Sequence, residues 1–170
     1  MIFMFLFLTL GVAVTPLVFL NFNLKTTSPI VVVEKSEIKN TTWIASDGSE
    51  VVFGNDTIYW YQKENEHDDN YYYGEFDFYV GEDAVKFITT ELSDYGVTKA
   101  ELEDLFERNE EYNIDNFVVF DIVYDGIIID GELTVPNRPR VPWYGFILED
   151  NTYLDVANMN TGTYYKFTKK

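Results

Sequence analysis

Cysteine is missing from this 170-residue chain. No disulfide can form, and a lipoprotein signal is excluded because it needs a cysteine to bear the lipid. The absence leaves the compartment open, since a bacterial cell surface and a cytosol both suit a cysteine-free domain. Basic residues are scarce: 12 Lys plus Arg stand against 29 Asp plus Glu, a formal charge of −17. Nucleic acid, whose phosphates require a basic patch, is thereby argued against as a partner. Histidine occurs once, as His67. What the chain has instead is apolar and aromatic bulk, 46% and 18% of its residues, enough for a packed core without cross-links. Its length fits one domain, or one domain plus an accessory segment.

Charge is also missing locally. Residues 1–24, MIFMFLFLTLGVAVTPLVFLNFNL, have no charged side chain, and the first is Lys25. At 1.5 Å per residue, about twenty apolar residues cover the hydrocarbon thickness of a bilayer, and Gly11 and Pro16 are tolerated in lipid. A cleaved signal peptide is the rival reading, but the basic n-region and a convincing A-x-A site are lacking. A buried helix of a soluble protein is the plain alternative. Residues 1–24 are therefore expected to be an uncleaved single-pass transmembrane anchor, followed by a spacer over 25–41. Orientation divides the arguments. Lys25, Lys35 and Lys39 all follow the segment and favour a cytoplasmic C-terminal side. A single N-terminal apolar segment ahead of an acidic, tyrosine-rich domain instead reads as a signal anchor, and an extracytoplasmic soluble domain at the cell membrane is expected on that ground.

From residue 42 the pattern becomes short β segments separated by turn chemistry. Residues 42–45 and 50–53 flank Asp47-Gly48, a strong hairpin signal. Gly54-Asn55-Asp56 turns the chain into TIYWYQ, residues 57–62, rich in β-branched and aromatic side chains. In NYYYGEFDFYV the alternate set Tyr72, Gly74, Phe76, Phe78, Val80 is apolar and the other, Tyr71, Tyr73, Glu75, Asp77, Tyr79, is acidic with tyrosines; that is a strand with one buried face. After Gly81 the period changes to that of a helix, with Ala84, Phe87, Ile88 and Leu92 on one stripe. A second helix is marked by the capping box Thr98/Glu101 and the staple Val97/Leu102. Strands resume at 116–124, 127–129 and 132–135, separated by Asp125-Gly126 and Asp130-Gly131. These are either successive short strands or one bent strand with a bulge. NRPRVP, residues 137–142, cannot be a central strand, and segments 143–148, 152–156 and 163–167 close the count. The expected fold is mainly β: an N-terminal transmembrane helix, then an antiparallel barrel or sandwich of eight or nine strands over 42–170 with a two-helix insertion over 82–109.

TWIASDGSEVVF, YYYGEFDFYVGEDAVKFI and YLDVANMNTGTYYKF together resemble the lipocalin-like, or calycin, β-barrels, and in particular the short membrane-attached proteins of Gram-positive bacteria that contain such a domain. The Gly-x-Trp signature of true lipocalins is absent, Trp43 following Thr41-Thr42 instead. The resemblance implies no catalytic residues, because such barrels share none.

Candidates for chemistry are few. ENEHDD, residues 64–69, gathers carboxylates and the lone histidine, but without EF-hand spacing it reads as a solvated loop. Glu75 and Asp77 lie on one strand face about 7 Å apart, within the range of glycosidase pairs, though acids on an outward face are common. No enzyme, cofactor or metal site is expected, since nucleophile elbows, phosphate loops and zinc spacings are absent. NRPRVPWYGF is the better candidate for recognition: Arg138 and Arg140, stiffened by proline and followed by Trp143 and Tyr144, could hold an acidic group, or simply pair with local acids. Tyr71, Tyr73 and Tyr79 could form a partner-binding patch or lie against the helix pair. Two functions stay open: a membrane-tethered interaction module for a protein or envelope component, and a binder or sensor of a small apolar ligand at the membrane.

Overall fold

A computed structural model describes residues 37–67, 69–134 and 137–170. Nine strands and two helices follow in order: β1 Thr41–Ala45, β2 Glu50–Phe53, β3 Thr57–Tyr61, β4 Tyr71–Val80, α1 Gly81–Thr90, α2 Lys99–Arg108, β5 Phe117–Ile129, β6 Glu132–Thr134, β7 Trp143–Leu148, β8 Tyr153–Asn158 and β9 Tyr164–Lys169. The segment expected to span a membrane, and most of the spacer, lie outside the described residues. Among the described residues no helix is long and apolar enough to cross a membrane.

Strands β1 to β5 pair antiparallel in succession, β5 joins β7, β7 to β9 pair in succession and β9 returns to β1, so eight strands close into a barrel while β6 hangs from the far end of β5. Closure is how a chain with this many β segments removes the unpaired edges that invite aggregation. The hairpin at Asp47-Gly48 forms as the sequence indicates, Gly48 adopting φ +85° and Ala45 N–H donating to Ser49 O at 2.8 Å.

Residues 117–129 form one bent strand, not a series of short ones. Its register on β4 shifts between Tyr73↔Gly126 and Gly74↔Tyr124, leaving Asp125 as the extra residue. This bulge has a structural consequence. A two-residue alternation that buries Val118, Phe120, Ile122 and Tyr124 would next bury Gly126 and expose Ile127. With Asp125 inserted, Gly126 faces out and Ile127 returns to the interior side. Asp130 and Gly131, at φ +51° and +77°, then make the two-residue turn into β6.

Alternation divides the apolar residues into two cores. Inside the barrel lie Trp43, Phe53, Phe76, Phe78, Phe120, Trp143 and Phe167, and Ile38, from the segment before β1, is fully buried against them. Outside, α1 and α2 cover one stretch of wall: Ala84, Ile88, Leu92 and Leu102 meet the outward residues Phe117, Val119, Tyr144 and Phe146. The capping box at α2 is complete, Thr98 accepting from Glu101 N–H while the Glu101 carboxylate accepts from Thr98 N–H. Val97 and Leu102 are both buried, as the staple requires.

Candidate functional site

The barrel is filled at one end and open at the other. The large inward rings occupy its middle and closed end. Toward the opposite mouth, between the β1–β2 turn, the β3–β4 loop and the segment before β7, lies a cavity of about 540 Å³. Its walls are aromatic: Trp60 from β3, Tyr72 from β4, Tyr124 from β5 and Tyr165 from β9. Trp60 stands edge-on to Tyr165 at 5.0 Å and to Trp143 at 5.2 Å, and Tyr72 lies 5.4 Å from Tyr124. Ile127 and Val141 add aliphatic surface, while Asp47, Ser49, Gln62 and Asn158 supply polar groups. An eight-stranded barrel has room for side chains or for one small ligand; here inward side chains fill part of the length and a cavity takes up the rest.

Two polar atoms in this region are buried without a hydrogen-bond partner, the Tyr124 hydroxyl and Trp143 Nε1. Tyr124 is 4% exposed and lines the cavity. Burial drives its pKa far above the ordinary tyrosine value, with Tyr165 and Tyr72 adding to the shift, so its hydroxyl keeps its proton at any ordinary pH. Tyr165 is also raised, by burial first, with Asp47 and Tyr72 adding and a hydrogen bond to Thr163 opposing.

The two arginines singled out in the sequence lie beside this mouth but face away from it. Residues 139–141 run along β5: Val141 N–H donates to Ile122 O at 2.7 Å and Tyr124 N–H to Pro139 O at 3.2 Å. Pro139 and Val141 therefore face the cavity, while Arg138 and Arg140 turn to the outer wall. Arg140 grips Asp121 through two bonds, 2.6 Å from Nε and 2.8 Å from Nη2. Arg138 spans Glu75 at 3.2 Å and the bulge residue Asp125 at 2.7 Å. The remaining candidates separate. Trp143 is fully buried inside the barrel and Tyr144 lies beneath the helices, 3% exposed. Tyr79 stacks on Phe87 of α1 with ring centroids 3.9 Å apart.

Tyr71 and Tyr73 belong to a different feature, on the outer face of β3 and β4. Cross-strand pairs Tyr59↔Tyr73 and Tyr61↔Tyr71 set four half-buried rings side by side, with centroid separations of 5.4 to 6.5 Å. Gly126 allows this, because a Cβ there would meet the Tyr73 ring at 2.5 Å. His67 extends the row by stacking on Tyr61 at 3.9 Å, and its Nε2 lies 3.4 Å from the buried Glu50. The acidic loop is thus anchored on Glu50, and no group of side chains suited to a metal ion occurs among the described residues.

The wall also buries an acid away from the mouth. Asp155 on β8 is 2% exposed; burial raises its pKa, against the lowering effects of the Tyr164 hydroxyl and of the Lys166 ammonium 3.8 Å away. A carboxyl whose folded pKa is raised favours folding below its unfolded pKa, and that contribution is lost as pH rises through the folded value. Asp155→Asn is accordingly expected to be more stable than the parent at pH 7, with the difference shrinking toward pH 4 in urea denaturation. A variant equally destabilised at both pH values would contradict this.

The sequence pointed to the arginine loop and the outward tyrosines, and missed the cavity. The available signal was the placement of tyrosines among inward phenylalanines: Tyr72 heads the buried face of β4 and Tyr165 precedes Phe167 by two. Polar-tipped rings at one end of inward rows mark where a core gives way to a wet mouth. No family model, curated protein or solved structure matches the chain.

Proposed function

We propose that this chain is a non-catalytic, lipocalin-like binding module, tethered at the membrane by residues 1–24, that takes a small, largely apolar ligand into the open mouth of its barrel. The observation that supports it is the 540 Å³ cavity with four aromatic walls and a buried tyrosine hydroxyl lacking a partner. Ligand sites are concave, mostly apolar and supplied with a few polar groups that orient the occupant. The neutral fluorophore 1-aminoanthracene should bind saturably, one per chain, with enhanced emission. Val141→Trp, which places an indole in the cavity, should weaken that binding by at least about tenfold. Binding that is unchanged in this variant would remove the reading.

The second reading is that the module binds a protein or envelope component on its outer face. The row Tyr59, Tyr61, Tyr71 and Tyr73 favours it, together with Ile129 and Leu133, 49% and 55% exposed at the β5–β6 hairpin. Both readings place the barrel outside the cell, which a single introduced cysteine tests cleanly in a chain that has none. Glu66 is a suitable position: it is exposed, and its ion pair is with the equally exposed Lys63 three residues away. Neighbouring Asn65 is less so, since it adopts φ +63° and its N–H donates to Glu50. Glu66→Cys should react with a membrane-impermeant maleimide on intact cells. Reaction only after lysis would turn the barrel to the cytoplasm.

A further inference from the structure

We infer that the occupant of the mouth is a small organic cation, an ammonium borne on an apolar or aromatic body; this rests on the cavity reading above and narrows it. Charge is the first argument. Among the described residues, Asp47 is the one formally charged residue lining the cavity. The Ser49 N–H and hydroxyl both donate to its Oδ1, at 2.9 and 2.7 Å, which fixes the carboxylate at the rim while Oδ2 takes part in neither bond.

Compensating cations are turned away. Arg138 and Arg140 flank Pro139 at the mouth, yet both guanidiniums are bound to outer-wall carboxylates. An anionic ligand would therefore meet Asp47 with no cation among the described lining residues to offset it. The whole chain, at −17, also raises the local concentration of cations and repels anions.

The walls supply the second argument. Ring faces present negative potential to a cation within about 6 Å of the centroid, and the effect grows when the site is desolvated. Trp60, Tyr72 and Tyr165 line the cavity from three strands, Trp60 and Tyr165 at right angles, so a cation between them meets more than one ring.

The test uses one scaffold in three charge states on the full chain in detergent: 2-phenylethylammonium, neutral 2-phenylethanol and anionic 3-phenylpropanoate, titrated by calorimetry at pH 7 beside 1-aminoanthracene. The ammonium is expected to bind at least about tenfold tighter than the alcohol, and the anion weakest. Asp47→Asn keeps an acceptor for Ser49, so the fold is retained; it should erase most of the ammonium's advantage and leave the alcohol unchanged. If 1-aminoanthracene binds but the ammonium does no better than the alcohol, or Asp47→Asn does not narrow the gap, the cation assignment is overturned and the cavity reading stands. If none of the probes binds, both are overturned.

Discussion

Adding a single methyl group at Gly145 is expected to destabilise the barrel by roughly 3–5 kcal/mol, a large part of the 5–15 kcal/mol that holds a domain of this size together. Gly145 occupies an inward position of β7, between the outward Tyr144 and Phe146, and pairs with Val156 of β8. A Cβ built on it would lie 1.9 Å from the Asp155 carbonyl oxygen and 2.8 Å from Val156 Cα, both backbone atoms of the neighbouring strand. No rotamer relieves such a contact, so β7 and β8 must separate at this pair and lose the ladder hydrogen bonds on either side. Gly48 supplies the control. Its φ of +85° strains any side chain, but nothing lies within 4 Å of a Cβ there, so Gly48→Ala should cost only about 1–2 kcal/mol. Urea denaturation of the two variants separates close approach from backbone conformation. A Gly145→Ala variant no less stable than Gly48→Ala would mean that β7 and β8 yield freely.

Gly74 raises the same conflict from the other side of the barrel, its Cβ falling 2.1 Å from the Val123 carbonyl oxygen beside the bulge at Asp125. Both glycines interrupt inward rows of large side chains. A sheet closing on itself must coil tightly somewhere, and a position without a side chain is where the strands can approach. In a linear sequence Gly74 reads only as a bulge or close-approach point, and Gly145 gives no separate signal.

That contrast marks how far the sequence could be read. Period-two alternation located β4 and divided its faces correctly, because a half-buried strand imposes the pattern on every residue. The Thr98/Glu101 capping box located α2 because the residues that satisfy the first turn's free N–H groups are local in sequence. Asp130-Gly131 placed a tight turn for the same reason. The bulge at Asp125 stayed ambiguous with a second hairpin, since Asp-Gly serves either, and only the partner strand decides. The cavity left only a faint mark, polar-tipped rings at one end of inward rows, because it arises from Trp60, Tyr72, Tyr124 and Tyr165, which come together from four strands through closure. Arg138 and Arg140 drew notice as scarce charges, but their partners Glu75, Asp121 and Asp125 are assigned by register and by the bulge. The rows Tyr59/Tyr73 and Tyr61/Tyr71 likewise exist only once β3 and β4 are paired.

Trp143 separates volume from polarity in the same core. Its indole is fully buried beneath the cavity, edge-on to Trp60 at 5.2 Å and stacked near Phe167 at 6.0 Å. Removing it should therefore be severe: Trp143→Ala loses the apolar burial and leaves a void among rings that cannot all move inward, about 3–5 kcal/mol in comparable cores. The indole N–H, however, is buried without an acceptor, and an unsatisfied donor costs about 1–3 kcal/mol relative to its hydrated state. Trp143→Phe removes that donor while keeping most of the packing, so the two changes oppose each other and the net loss should stay within about 1 kcal/mol. Equilibrium denaturation of the pair gives the difference directly. If phenylalanine costs as much as alanine, the indole N–H is satisfied in solution, and water reaching it through the mouth is the available source. The floor of the cavity would then be wet, with water reaching down past Trp60 to the Trp143 indole.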